Sequence, residues 1–291
     1  EALSLSILLM AIIRETLTHT LAAISTGGFS THDASLAAFS GWTPRLVTMG
    51  LSLAGAVALP LYFLAWRHGW RMLAANVELH ALLVLCGLSS ALLALLLYHA
   101  QGTWQADFVG HAVLMATSAQ TTTGFASLPV SELDATAKLV LILSMLVGGS
   151  VGSTAGGFKL WRLLLLLRLS QLVFHRIAMP DHAVVELRLG GRVIETDELT
   201  RGLWLMLLFA TVVLCSWFPF LWFGCDPLNA LFEVVSALAT TGLSAGIASP
   251  DLHPLLKGIL CADMVLGRLE IIAVLVLFAP QTWFGRRRMR T

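Results

Sequence analysis

Charge is scarce in this sequence. Asp, Glu, Lys and Arg make up 12% of its 291 residues, against 57% hydrophobic, and the net charge is +1. So small a charged share, with a mean hydropathy of +0.82, excludes a soluble domain. Basic residues are scattered among apolar runs rather than gathered on one face, so no nucleic acid partner is expected. The four cysteines, Cys86, Cys215, Cys225 and Cys261, lie far apart and lack metal-like spacing. Three sit in or beside apolar runs as ordinary small core residues; Cys225 is nearer a loop, where a disulfide remains open. No His-Glu-x-x-His pair occurs, and no Gly-x-Ser-x-Gly sequence sits on the strand-to-helix turn that a nucleophile elbow needs. His19, His111 and His253 stand isolated, as packing or loop residues. An enzyme is not expected. A signal peptide is missing too: the chain opens on Glu1 without a basic lead-in, and the apolar Ala2–Ile13 is too short to span. That opening predicts a natural chain that starts earlier.

What abounds is apolar sequence in lengths near the roughly 20 residues that cross a bilayer. The expected fold class is an all-α integral membrane protein. Full spans are predicted at Thr43–Trp66, Leu79–Tyr98, Leu203–Phe223 and Leu255–Ala279, with Pro60 kinking or ending the first and Pro219 bending the end of the third. Shorter helices are predicted at Arg14–Ser25, Phe108–Gln120 and Leu228–Ala239, with Asp107 capping the second and Asp226-Pro227 opening the third.

Each short helix runs into a polar loop and turns back. The loops are Ser25-Thr26-Gly27-Gly28, Thr121-Thr122-Thr123-Gly124-Phe125 and Thr240-Thr241-Gly242-Leu243. Glycine after threonine permits torsions that let carbonyls turn inward. Several such loops around one axis replace a cation's water shell with backbone oxygens. The short helices also aim the negative ends of their dipoles at the loops, which favours a cation. One loop alone reads equally well as a re-entrant packing turn; three in an apolar repeat predict a cation pore.

A further apolar run is interrupted at Gly148-Gly149-Ser150-Val151-Gly152-Ser153-Thr154-Ala155-Gly156-Gly157. Irregular backbone at membrane depth belongs inside protein or beside a watery cavity. The functional reading is a gate across the conduction path, and the bland one is close packing by small residues. A Walker A loop is excluded, because Phe158 separates Gly157 from Lys159 and Leu160 follows. Arg268 lies inside the last span, where a charge is costly. It reads either as a structural ion pair, with Asp263 and Glu270 on the same segment, or as a positive charge that lowers ion occupancy below the filter. Val184–Ile194 alternates around Gly190-Gly191, which suggests a small hairpin or a solvated loop. Most arginines lie opposite the loops, which predicts a cytoplasmic Arg176–Arg201 segment and outward-facing filters.

Ser25–Asp33, Thr122–Ser127, Gly152–Lys159 and Gly267-Arg268-Leu269-Glu270 resemble signatures of the Trk/Ktr/HKT superfamily of potassium transporters. The chain is most similar to the TrkH-type membrane subunit of bacterial potassium uptake systems, and the resemblance runs end to end. It implies four span, pore-helix, filter-loop and span repeats around one pore. Filter glycines would be Gly27, Gly124 and Gly242, with ion-binding positions at Ser25, Thr26, Gly27, Gly28, Thr121, Thr122, Thr123, Gly124, Phe125, Thr240, Thr241, Gly242 and Leu243. The gate would comprise Gly148, Gly149, Ser150, Gly152, Ser153, Thr154, Gly156, Gly157 and Lys159, with Arg268 as the basic residue below the filter. Ala155 departs from the glycine more usual in the family loop, which would stiffen the gate.

The resemblance further implies K+ as transported ion, a homodimer in the bilayer of the bacterial cytoplasmic (inner) membrane, and cytoplasmic nucleotide-binding TrkA-type subunits. No organic cofactor is implied on this chain. Only three of the four loops are present, so the N-terminal repeat is expected to be missing and the pore incomplete. The expected units are 1–72 (second repeat), 73–175 (third repeat with gate), 176–201 (cytoplasmic loop) and 202–291 (fourth repeat and basic tail). The competing expectation is a broken-helix secondary transporter coupled to sodium or protons, with Gly148–Gly157 as its substrate site.

Overall fold

The computed structural model describes residues 14–39, 41–101, 106–177, 187–269, 271 and 276. Glu270, Trp104, the Arg286–Arg290 tail and the apolar opening lie outside them. The described chain is helical apart from one small hairpin. Helix α1 covers 14–24, followed by α2 (Trp42–Ala56), α3 (Leu59–His68), α4 (Arg71–Ala74), α5 (Val77–Gln101) and α6 (Ala106–Gln120). Then come α7 (Ala135–Val147), α8 (Leu160–Ile177), α9 (Thr196–Trp222), α10 (Pro227–Leu238) and α11 (Pro254–Arg268).

Among the described residues two helices, α5 and α9, are long and apolar enough to cross a membrane, and the bent pair α2–α3 makes a third if counted as one span. Their outward faces carry Leu83, Leu88 and Leu95, then Trp204, Leu214 and Phe218, as hydrocarbon around them requires. The expected single span Thr43–Trp66 is instead two helices meeting at 87°. The break precedes the expected Pro60. Proline offers no N–H to the carbonyl four residues back, so the Ala56 oxygen is released, and it accepts the Ser150 N–H at 3.0 Å. The final predicted span is likewise interrupted, with α11 ending at Arg268.

The core lies around α10, whose Phe232, Val234, Val235 and Leu238 are fully buried. It packs with Ala112, Met115, Ala116 and Ala119 of α6 and with Leu141 and Met145 of α7. The short helices are therefore central, and the long ones wrap them. Asp226 caps α10 by accepting the Asn229 N–H at 2.9 Å, with Pro227 in the first turn. Asp107 is not a cap: it sits in the first turn of α6 and accepts the Trp42 indole N–H at 3.1 Å. The described part of the expected hairpin pairs Arg188 with Val193 and Leu189 with Arg192. Gly190 and Gly191 both have positive φ, as a two-residue turn of this hand demands. The expected unit boundary at 201/202 falls inside α9, which starts at Thr196.

Candidate functional site

Helices α1, α6 and α10 end alike. Thr26, Thr122 and Thr240 hold φ of 49°, 51° and 53°, and Gly28, Gly124 and Gly242 hold 66°, 88° and 86°. Around each threonine the same pair of hydrogen bonds closes the helix: Thr26 N to Ala23 O and Gly27 N to Ala22 O, Thr122 to Ala119 and Thr123 to Ser118, Thr240 to Ala237 and Thr241 to Ser236. This is a Schellman ending with threonine where glycine is usual. The resemblance places the first filter glycine at Gly27. Torsion by torsion, the equivalent of Gly124 and Gly242 is Gly28, and Gly27 occupies the position of Thr123 and Thr241.

The loops nest in chain order. A Cβ on Gly28 would fall on the Thr123 carbonyl oxygen, and one on Gly124 on the Thr241 carbonyl oxygen, while around Gly242 nothing lies within 4 Å. The following side chains repeat the series. Phe125 is 1% and Leu243 3% exposed, but Phe29 is 78% exposed. Phe125 stacks on His19 of α1 at 6.2 Å, and Leu243 lies in the core cluster that also holds α6 side chains. Three loops thus form consecutive sides of a ring whose last glycine and first aromatic are both uncovered.

A side chain two turns back on each short helix holds the returning strand. Glu233, buried in α10, accepts the Ser244 hydroxyl at 2.6 Å and the Ala245 and Ile247 amides at 2.9 and 3.2 Å through one oxygen. His19 meets the Ser30 hydroxyl at 3.1 Å, and the Met115 sulfur accepts the Ser127 N–H at 3.3 Å. The seven-residue spacing from each left-handed threonine (19 to 26, 115 to 122, 233 to 240) was readable in sequence, but three different side chains at one position concealed it. His111 also anchors a return, meeting the Ser127 hydroxyl at 2.9 Å.

The segment between α7 and α8 crosses beneath all three loops. The Gly156 N–H donates to the Thr122 hydroxyl at 2.6 Å. The Thr154 hydroxyl reaches the Ile24 and Gly55 carbonyls at 3.0 and 2.9 Å and lies 3.3 Å from that of Thr26. A Cβ on Gly156 would strike the Ala239 carbonyl and the Thr240 hydroxyl. Gln120 donates to the Gly148 carbonyl at 2.8 Å. Positive φ at Gly148, Gly152, Gly157 and Lys159 shapes the segment. Ser150 is buried, and the Ser153 hydroxyl donates to its carbonyl at 2.6 Å.

Arg268 donates to the Thr154 carbonyl at 2.9 Å. It does not pair with Asp263, which accepts the Ser216 hydroxyl of α9 at 2.7 Å. Asp263 is thus turned toward α9 and Arg268 toward the segment, while Glu270, the other carboxylate of the expected ion pair, lies outside the described residues. Lys159 donates to the Ala155 carbonyl and Arg162 to the Phe158 carbonyl.

Two cavities, each of about 380 Å³, flank the loops. The one on the loop-return side includes Gly28, Gly124 and Gly242 with Asp33 and His32. The other lies against the glycine-rich segment, and its described lining includes Lys159, Arg162 and Arg268.

These features meet clear relatives. The family model for TrkH, described as a cation transport protein, matches residues 10–286. The chain is 29% identical over 278 residues to the Trk system potassium uptake protein TrkH of Escherichia coli, covering 91% of this chain and 56% of that protein. It is 34% identical over 287 residues to the Trk system potassium uptake protein TrkI of Halomonas elongata, covering 91% and 55%. The crystal structure of the potassium transporter TrkH from Vibrio parahaemolyticus superposes with a TM-score of 0.81 at 26% identity, covering 97% of this chain and 65% of that one. The chain thus spans little more than half the length of the curated relatives it matches. With nested loops, a segment beneath them and a family model matched across nearly its whole length, this chain belongs to the TrkH family of cation transport proteins.

Proposed function

We propose that this chain is three quarters of a K+ uptake pore, with the threonine-glycine loops as its selectivity filter. The observation that carries the reading is the nesting of Gly28 on Thr123 and Gly124 on Thr241, which gathers loop carbonyls about one axis. The Thr241 hydroxyl is buried without a hydrogen-bond partner among the described residues, so it is available to an ion. The ends of α1, α6 and α10 add their negative dipole ends. Asp33 on one side and Arg268 on the other favour cation entry from the loop-return side.

In this reading the 148–157 segment is the gate and Arg268 the charge limiting occupancy below the filter. The repeats at 1–72, 73–175 and 202–291 each contribute one side, and 176–201 faces the cytoplasm. A fourth Thr-x-Gly loop, from a preceding repeat, covers Gly242 and Phe29. A homodimer in the bacterial inner membrane with TrkA-type nucleotide-binding subunits is part of the same proposal, and the Trk system names of the relatives support membership of a multi-subunit uptake system. The nesting favours a pore over a broken-helix secondary transporter, which would leave these loops incidental. The test is ion flux through the assembled transporter containing Gly124→Ser or Gly242→Ser. Loss of K+ preference over Na+ is expected, and unchanged preference in both variants overturns the filter assignment.

A further inference from the structure

The returning strands of the first two loops are tied to each other, and one titratable side chain stands behind the tie. Ala126, two residues past Gly124, accepts the Leu36 N–H at 3.1 Å and donates its own N–H to the Ser35 hydroxyl at 3.2 Å. Ser127 follows. It is buried, and its hydroxyl lies 2.9 Å from Nδ1 of His111 in α6. His111 is in turn braced by the Trp42 ring of α2, 5.2 Å away. Asp107 accepts the Trp42 indole N–H at 3.1 Å, the Arg45 guanidinium lies 5.0 Å from the same ring, and a Cβ on Gly110 would fall on it. Arg45 also donates to the Leu36 and Phe39 carbonyls at 3.1 and 2.7 Å, so the cluster grips both returns.

The charges acting on His111 are Arg45 from α2 and Asp107 from its own helix. Leu93, Ala94 and Leu97 of α5 join α6 in the core cluster, and Tyr98 and His99 at the end of α5 are exposed. Lys138 of α7 is turned to the Ser131 carbonyl and Asn229, and His19 of α1 to Ser30. Burial and the Arg45 charge hold the His111 imidazole below its usual range, against a smaller upward pull from Asp107.

We propose that His111 is a positioning residue of the filter and that only its uncharged form keeps the tie in place. With its hydrogen on Nε2, Nδ1 accepts the Ser127 hydroxyl. Once protonated, both ring nitrogens donate, so the Ser127 hydrogen must find another acceptor in a buried site, and a second positive charge joins Arg45. The strand at Ala126 shifts, and both loops shift with it. Acid on the loop-return side therefore weakens ion preference. That effect on preference rests on the pore reading above; the tie and its titration do not.

The first test needs no flux. Thermal unfolding of the chain in detergent is followed between about pH 8 and about pH 5, the range in which an imidazole gains its proton. The folded protein takes up that proton less readily than the unfolded chain, so stability falls as pH drops through the unfolded value. The parent should lose more across this range than His111→Asn, which keeps a polar atom near the Nδ1 position and does not titrate. In the assembled transporter, preference for K+ over Na+ should fall about fivefold over the same range, the weight of one buried hydrogen bond. The pH dependence should vanish in His111→Asn, whereas His111→Ala and Ser127→Ala should lower preference at every pH. Matching pH profiles for the parent and His111→Asn, in unfolding or in preference, overturn the proposal. If Gly124→Ser and Gly242→Ser leave preference unchanged, the pore reading fails, and the unfolding comparison still decides whether His111 titrates the tie.

Discussion

A β-branched residue with positive φ costs roughly 1–3 kcal/mol, yet Thr26, Thr122 and Thr240 all adopt it. Glycine would relieve the strain but could not offer the hydroxyl that receives the Gly156 amide at Thr122. The side chain is kept for what lies beneath it. Glycine is demanded two residues later in the first two loops, at Gly28 and Gly124, where a Cβ would collide with the neighbouring loop. Gly28→Ala should therefore disrupt the ring and reduce K+ preference, whereas Gly27→Ala meets only the Phe29 ring and the Ser25 hydroxyl at 3.2 Å. Selectivity of the two variants, measured side by side, checks the register; equal effects would favour Gly27. Glu233 makes a separate prediction. Its removal by Glu233→Ala strands several buried donors, at a cost of roughly 3 kcal/mol or more. Thermal unfolding should fall well below that of an exposed control such as Glu132→Ala.

At the level of elements, broken helices meet one another through the groups their breaks release. Pro60 frees the Ala56 carbonyl, and Ser150 of the crossing segment takes it. The Leu59 N–H in turn donates to the Gly152 carbonyl at 3.0 Å. Outgoing helices approach the filter by glycine: Gly55 lies on the Ile24 carbonyl and Gly267 on the Leu238 carbonyl, each two residues before the left-handed threonine. Pro60→Ala should let the α2–α3 junction compete for the Ala56 oxygen and loosen the segment below the loops. Faster amide hydrogen exchange at Ser150 and higher basal flux are the expected readouts. The same substitution with unchanged exchange would mean that Pro60 only shapes the bend.

Across the whole molecule, two loop positions are open among the described residues: a Cβ on Gly242 would meet nothing within 4 Å, and Phe29 is 78% exposed. In the proposed pore both border the gap between the third loop and the first. An exposed phenylalanine contributes little, but one packed like Phe125 is worth about 3–5 kcal/mol against alanine. Phe29→Ala should therefore barely change the unfolding of this chain alone, while clearly destabilising an assembly in which a fourth loop is supplied. Equal losses in both settings would argue that nothing covers Phe29. The chain alone is also expected to conduct without K+ preference in planar bilayers, and selective single-chain currents would contradict the open ring.

Sequence alone determined the membrane class, the three threonine-glycine turns and the interrupted run at Gly148–Gly157, because apolar length, glycine torsions and backbone satisfaction are local constraints. It also determined the α10 cap, where the signal spans only a few residues, and left Gly190-Gly191 open between a hairpin turn and a solvated loop. It foresaw a kink or end at Pro60 within Thr43–Trp66 but neither the 87° angle nor a break placed before that proline, since an apolar stretch looks alike whether it bends slightly or sharply. It left Glu233 without a role and did not foresee the contact of Arg268 with Thr154, because these partners lie far apart along the chain. Only the tertiary structure decided that Gly28 rather than Gly27 faces the next loop, that Thr154 meets Arg268, and that three cations share one cavity. Those outcomes depend on which backbones come within a van der Waals radius of one another, and no local pattern records such distances.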